Sequence, residues 1–142
     1  MKPTRALCLF FLVFSSAALA GPVDEEMARE RIQAIAAGNN DALMRDYDKA
    51  AVMQWVGGKF DGLYRGAGEL HKLWNDFRDF QGPIKLTIGE VESHGNANGV
   101  TVLAKARYLG KLDVRVQHVF VLRDGKVVME VWQIDPRIKL GN

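Results

Sequence analysis

The chain has 142 residues, 48% of them apolar and 25% charged, with 19 Lys and Arg, 17 Asp and Glu, three His and one Cys. That length and balance suit a single globular domain with one core, and they exclude a disordered, collagenous or coiled-coil chain. Lys2 and Arg5 account for the formal charge of +2, so residues 21–142 are neutral and give no global electrostatic case for nucleic acid or an anionic membrane.

Residues 1–20 read as a cleavable export signal. Lys2 and Arg5 form a positive start, Ala6 to Phe14 a short apolar run, and Ala18-Leu19-Ala20 supplies small residues before a cleavage point at Gly21. The run falls short of the roughly 20 residues that span a bilayer. Cys8 precedes most of the apolar stretch, whereas a lipid-bearing Cys would follow it, so no membrane anchor is expected. Processing would leave a domain of residues 21–142 in the periplasm or outside the cell. That domain has no cysteine for a disulfide, a thiolate metal site or a nucleophile.

Pro22 and Asp24 open a helix on which Ala28, Ile32 and Ile35 recur at helical spacing, and Gly38 ends it. Asn39-Asn40-Asp41 caps a shorter second helix with Leu43, Met44 and Tyr47. Ala51 to Val56 reads as a strand broken by Gly57-Gly58, and Leu63-Tyr64-Arg65 as a brief return. A third helix follows, with Leu70, Leu73, Trp74 and Phe77 on one stripe and Gly82-Pro83 at its end. From Ile84 the period changes to two. Val100 to Tyr108 and Leu112 to Leu122 alternate, and Val127 to Ile134 forms the last strand. Asp124-Gly125 marks the hairpin before it. Three helices followed by a four-stranded antiparallel meander, with short early strands, define an α+β domain.

Certain segments carry a resemblance. Ile35-Ala36-Ala37-Gly38-Asn39-Asn40-Asp41-Ala42-Leu43, Tyr64-Arg65-Gly66, and the tail from His118 to Val128 closing at Trp132-Gln133-Ile134-Asp135 stand in an order and spacing that resemble the nuclear transport factor 2-like superfamily. That group includes the SnoaL-like polyketide cyclases and the ketosteroid isomerases. The resemblance implies a cone, a curved antiparallel sheet wrapped around three N-terminal helices and open at one end into a pocket. It also implies a homodimer formed through the outer sheet face. It implies no particular reaction, because the fold hosts enzymes, binding proteins and assembly domains.

Steroid-isomerase chemistry is rejected residue by residue. By resemblance the catalytic base position falls on Trp55, the tyrosine position on Arg31, and the acid position on His118 or Gln117 depending on register. Indole is no base at neutral pH, and arginine stays protonated. His118 shares the apolar face of its strand. It reads as a core histidine, a ligand contact or a general acid–base, with Asp46, Asp48, Asp135 and Gln133 as conceivable partners. Trp132 stands with Tyr47, Trp55, Tyr64, Trp74, Phe77, Phe80 and Tyr108 in segments that by resemblance line the cone, and its alternation with Val131 leaves the outer, dimer side open as the alternative. His71, His94 and His118 lack metal-ligand spacing, no phosphate loop or serine elbow occurs, and no cofactor is expected. Lys105, Arg107 and Arg115 read as sheet-surface charge facing Glu90, Glu92 or Asp113.

The expected role is binding a small hydrophobic or aromatic molecule through Trp55, Tyr64, Trp74 and His118. Two alternatives stand beside it. One is a small lyase, isomerase or cyclase using His118 as general acid–base, and the other is a non-catalytic dimeric interaction module.

Overall fold

The structure is a computed structural model that describes residues 20–140. Apart from Ala20, the expected export signal lies outside the described residues. Helix α1 (Pro22–Ala37) starts with proline at a position that needs no N–H, and the Asp24 carboxylate accepts the Gly21 N–H at 3.1 Å. It ends at Gly38, whose φ of +67° is left-handed. Asn39 caps α2 (Asn40–Asp46) by accepting the Ala42 N–H at 3.2 Å. Helix α3 (Gly66–Gln81) buries Leu70, Leu73, Trp74 and Phe77, the stripe expected from their spacing. No helix of the described residues is long and apolar enough to cross a membrane.

Six strands follow or interleave these helices: β1 (Tyr47–Val56), β2 (Gly62–Arg65), β3 (Lys85–Asn96), β4 (Gly99–Leu109), β5 (Asp113–Arg123) and β6 (Lys126–Ile134). They form one curved, unclosed sheet in the order β2-β1-β6-β5-β4-β3. The meander expected from the period-two segments is β3 to β6, each strand antiparallel to the next. The sheet then continues beyond it, because β6 pairs with β1 in parallel and β2 folds back antiparallel on β1. Strand β1 also begins four residues earlier than periodicity indicated. Its polar start, Tyr47-Asp48-Lys49-Ala50, is held by the Tyr47–Val127 pairing before a register shift.

The helices fill the concave side, α1 against β3 and β4 and α3 against β1 and β2. Alternation sorts the strands as a half-buried sheet requires. Val102, Ala104, Ala106 and Tyr108 on β4 and Val116, His118 and Phe120 on β5 point inward and are fully buried. His118 therefore faces the interior and Gln117 the outer face. Trp132, which the sequence left between the two faces, is 0% exposed and faces inward. Pairing decides this, since Trp132 lies opposite His118 on one side and Trp55 on the other, both of them inward residues.

Candidate functional site

The two ends of the cone interior differ in chemistry. At the end formed by α1, α2 and the start of β1, a buried ion pair closes the space. Arg31 lies on the same α1 stripe as Ala28, Ile32 and Ile35, so its guanidinium projects inward. There Nη2 donates to Oε2 of Glu130 at 2.9 Å and Nη1 to the Leu43 carbonyl at 3.1 Å. Glu130 is itself 0% exposed on β6. Its Oε2 also accepts from the Tyr47 hydroxyl at 2.7 Å, and its Oε1 accepts from the Trp132 indole at 2.8 Å. The Trp74 indole donates to the Tyr47 hydroxyl at 3.0 Å, while the Arg31 guanidinium lies 4.1 Å from the Tyr47 ring centre.

A buried carboxylate so fully supplied with donors remains compatible with its charge. Burial opposes the charge on Arg31, but Glu130, Tyr47 and Asp46 together raise its pKa. Burial also raises the Tyr47 hydroxyl well above its usual range, with Arg31 opposing and Glu130 reinforcing. Arg31 and Tyr47 are thus both held protonated near pH 7. Their hydrogen bonds to Glu130 join the cluster into a fixed frame.

Above it, aromatic rings occupy the middle of the cone. Trp55 and Trp132 meet at 4.4 Å between centres, Trp132 stacks on Tyr108 at 5.2 Å, and Phe77 packs edge-on to both Trp74 and Trp132. His118 sits in this layer, stacked on Phe120 at 5.3 Å. Its Nε2 is hydrogen-bonded to the Tyr108 hydroxyl at 3.1 Å, while its Nδ1 is buried without a partner. Burial, assisted by the charge of Arg31, pushes its pKa down to about 3, so the ring is neutral at pH 7.

The opposite end is open. A cavity of about 230 Å³ lies where the β1–β2 loop, the end of α3, the start of β5 and the end of β6 converge. Its walls include Trp55, Phe60, Phe77, Phe80, Val114 and Ile134. The loop can turn here because Gly57 and Gly58 adopt φ of +95° and +74°, and Asp61 accepts the Gly57 N–H at 2.6 Å. Gln81 fixes the far wall by accepting the Leu112 N–H at 2.9 Å and donating to the Leu112 carbonyl at 3.1 Å. The Trp55 indole N–H is buried and has no partner.

Of the four residues expected to contact ligand, the structure places only Trp55 in this wall. Tyr64 lies on the other side of Phe60, where with Leu63 and Lys72 it lines a second open pocket of about 400 Å³, and it donates to the Phe60 carbonyl at 2.7 Å. Trp74 and His118 are 1% and 0% exposed, below the cavity and outside its walls. The sequence reading missed Glu130 as an interior residue. The available signal was an acid two residues from Trp132 on an apolar strand, matched by an arginine on the apolar stripe of α1. Among the described residues no group of three or more His, Cys, Asp and Glu is placed to hold a metal. The sheet-surface charges pair as the sequence indicated, Lys105 with Glu90 and both Arg107 and Arg115 with Asp113.

An α+β cone of this order, with a helix-filled interior and one open end, is the architecture of the nuclear transport factor 2-like proteins. The sequence profile of the SnoaL-like domain matches residues 28–130, and the chain belongs to that family. Among solved structures, a nuclear transport factor 2-like protein of unknown function from Burkholderia xenovorans is 19% identical. It superposes with a TM-score of 0.64 over 82% of this chain and 85% of that one. A protein from Kribbella flavida is 15% identical, with a TM-score of 0.64 over 80% of this chain and 87% of that one. The epoxide hydrolase/cyclase-like enzyme SalBIII, of pyran ring formation in salinomycin, is 17% identical with a TM-score of 0.60 over 78% and 89%. At such identities these likenesses carry the fold alone. No curated protein matches the sequence.

Proposed function

We propose that this SnoaL-like domain binds a small hydrophobic or aromatic molecule in the open end of its cone, with Trp55 as the principal contact. The observation that carries this reading is an apolar cavity of about 230 Å³ walled by Trp55, Phe60, Phe77 and Phe80. Small-molecule sites are concave and lined mainly by apolar and aromatic side chains, as this one is. An engineered apolar cavity of about 150 Å³ takes up benzene, so a one-ring compound with a short substituent fits the space. The test is a titration with one-ring compounds followed by the indole N–H resonances. The Trp55 signal should move, while those of Trp74 and Trp132, already bonded to Tyr47 and Glu130, should stay. A panel that moves none of them defeats the reading.

The acid–base alternative finds less support. His118 lies away from the cavity, its one hydrogen-bond partner is Tyr108, and burial favours its neutral form. The interaction-module alternative has a specific observation behind it. The cone below its mouth is filled by its own rings, and an apolar strip crosses the outer sheet face, with Leu103 opposite Val119, Val119 opposite Val131 and Val121 opposite Met129. Met129 is 46% exposed there. This strip suits a second copy of the chain, the homodimer that the resemblance implies. Native mass spectrometry of residues 21–142 would count subunits and release any retained ligand, and a lone monomer would defeat the dimer. Export with cleavage after Ala20 belongs to the same proposal, and an intact mass that still includes residues 1–20 would overturn it.

A further inference from the structure

Two ammonium groups flank Phe80, a residue of the cavity wall. Lys59, in the β1–β2 loop, places its Nζ 5.1 Å from the centre of the Phe80 ring. Lys111, in the β4–β5 turn, places its Nζ 4.8 Å from the same centre. Attraction between each cation and the ring holds both heads beside it. Among the described residues, no carboxylate lies within 4.0 Å of either one.

The acids nearest the opening are already engaged. Asp113, in the cavity wall, accepts from Arg107 at 2.8 and 3.0 Å and from Arg115 at 3.3 Å. Those guanidiniums hold its carboxyl below the usual carboxylate range. Asp61 accepts the Gly57 N–H within its own loop. Both lysines therefore lack an ion-pair partner among the described residues, beside a chamber with apolar walls.

We infer that the preferred ligand is a one-ring hydrophobic acid, with its ring among Trp55, Phe60 and Phe77 and its carboxylate beside Phe80, in the field of Lys59 and Lys111. This rests on the cavity being the binding site. A carboxylate in that place keeps part of its hydration while meeting two cations, and neither end of the ligand is left unmatched. Partly exposed ion pairs are individually weak, so the two together give a preference of about tenfold for the acid over its neutral amide.

Phenylacetate and phenylacetamide are the probes, titrated into residues 21–142 and followed by the Trp55 indole resonance and by calorimetry. In the wild-type protein phenylacetate should bind about tenfold more tightly. Raising salt from about 50 to 500 mM should weaken the acid severalfold and spare the amide, as screening of partly exposed charges requires. In the double variant Lys59→Gln, Lys111→Gln the ratio of acid to amide affinity should fall to about one. Equal affinities in the wild type, or a preference retained in the double variant, would overturn the charge assignment while leaving the cavity in place. Failure of both compounds to perturb Trp55 would overturn the cavity reading and this inference together.

Discussion

The closed end of the cone and its open end are built from the same aromatic residue types but satisfy them differently. At the closed end the indoles of Trp74 and Trp132 donate into the Tyr47–Glu130 cluster, and Arg31 is paired through both Nη atoms, its Nε alone lacking a partner. At the open end Trp55 has an indole donor with no acceptor, and the lysines flanking Phe80 have no carboxylate among the described residues. The difference separates a frame from a receptor. Polar groups that complete one another rigidify a fold, whereas polar groups left incomplete beside a cavity remain available to a ligand.

Breaking the frame should have the largest effect. Glu130→Ala strands the Arg31 guanidinium in the interior and should cost about 3–5 kcal/mol of stability in urea denaturation. The double replacement Arg31→Met, Glu130→Leu removes the charge along with its partner and should recover at least half of that loss. A Glu130→Ala protein as stable as the wild type would show that the closed end is not the frame described here.

Acid should act next, through His118. Folded, this ring stays neutral until pH approaches about 3, whereas in the unfolded chain it takes up a proton near its ordinary value of 6.5. Its contribution is therefore complete above about pH 6.5 and declines as pH falls, because protons favour the unfolded chain. Between pH 7 and 5 the loss should be about 2 kcal/mol. Asp113 and Asp135, held down by Arg107 and Arg137, act only below the ordinary carboxylate value of 3.8 and leave this window to the histidine. Urea midpoints measured across it should flatten in His118→Gln.

Identical substitutions at the two ends give a smaller and sharper contrast. Trp132→Phe removes a donor from Glu130, while Trp55→Phe removes a donor that had no acceptor. Both lose similar volume, so Trp132→Phe should be the more destabilising by about 1 kcal/mol or more. The smallest effect belongs to the lysines flanking Phe80: Lys59→Gln with Lys111→Gln should leave stability within about 0.5 kcal/mol of wild type. A large loss there would place the lysines in the frame.

The elements that sequence revealed best are those with one dominant period. The α3 stripe and the alternating faces of β4 and β5 came through residue by residue, while the choice of His118 over Gln117 as the inward residue needed the sheet register. Strand β1 was cut short because its first four residues are polar and gain their order from a distant partner, β6. The face of Trp132 stayed open because Val131 and Trp132 are both apolar, and period-two reading cannot choose between adjacent apolar residues. The cavity was legible only through Trp55 and the Gly57-Gly58 break. Phe77, Phe80 and Leu112 reach it from segments remote in sequence, and their convergence depends on how α3 ends against the β4–β5 turn.

The pairing of β1 with β6 also bears on the order in which the chain can fold. Arg31 and Glu130 lie 99 positions apart, and Tyr47 and Glu130 lie 83 apart. During synthesis the first helix and first strand leave the ribosome long before the last strand exists. Until then the guanidinium of α1 lacks its carboxylate and β1 lacks one of its two neighbours. Contacts of such separation slow folding, because a long loop must close before they repay its lost entropy. The final strand therefore acts as a latch, and a nascent chain ending before Lys126 has no means of closing its interior.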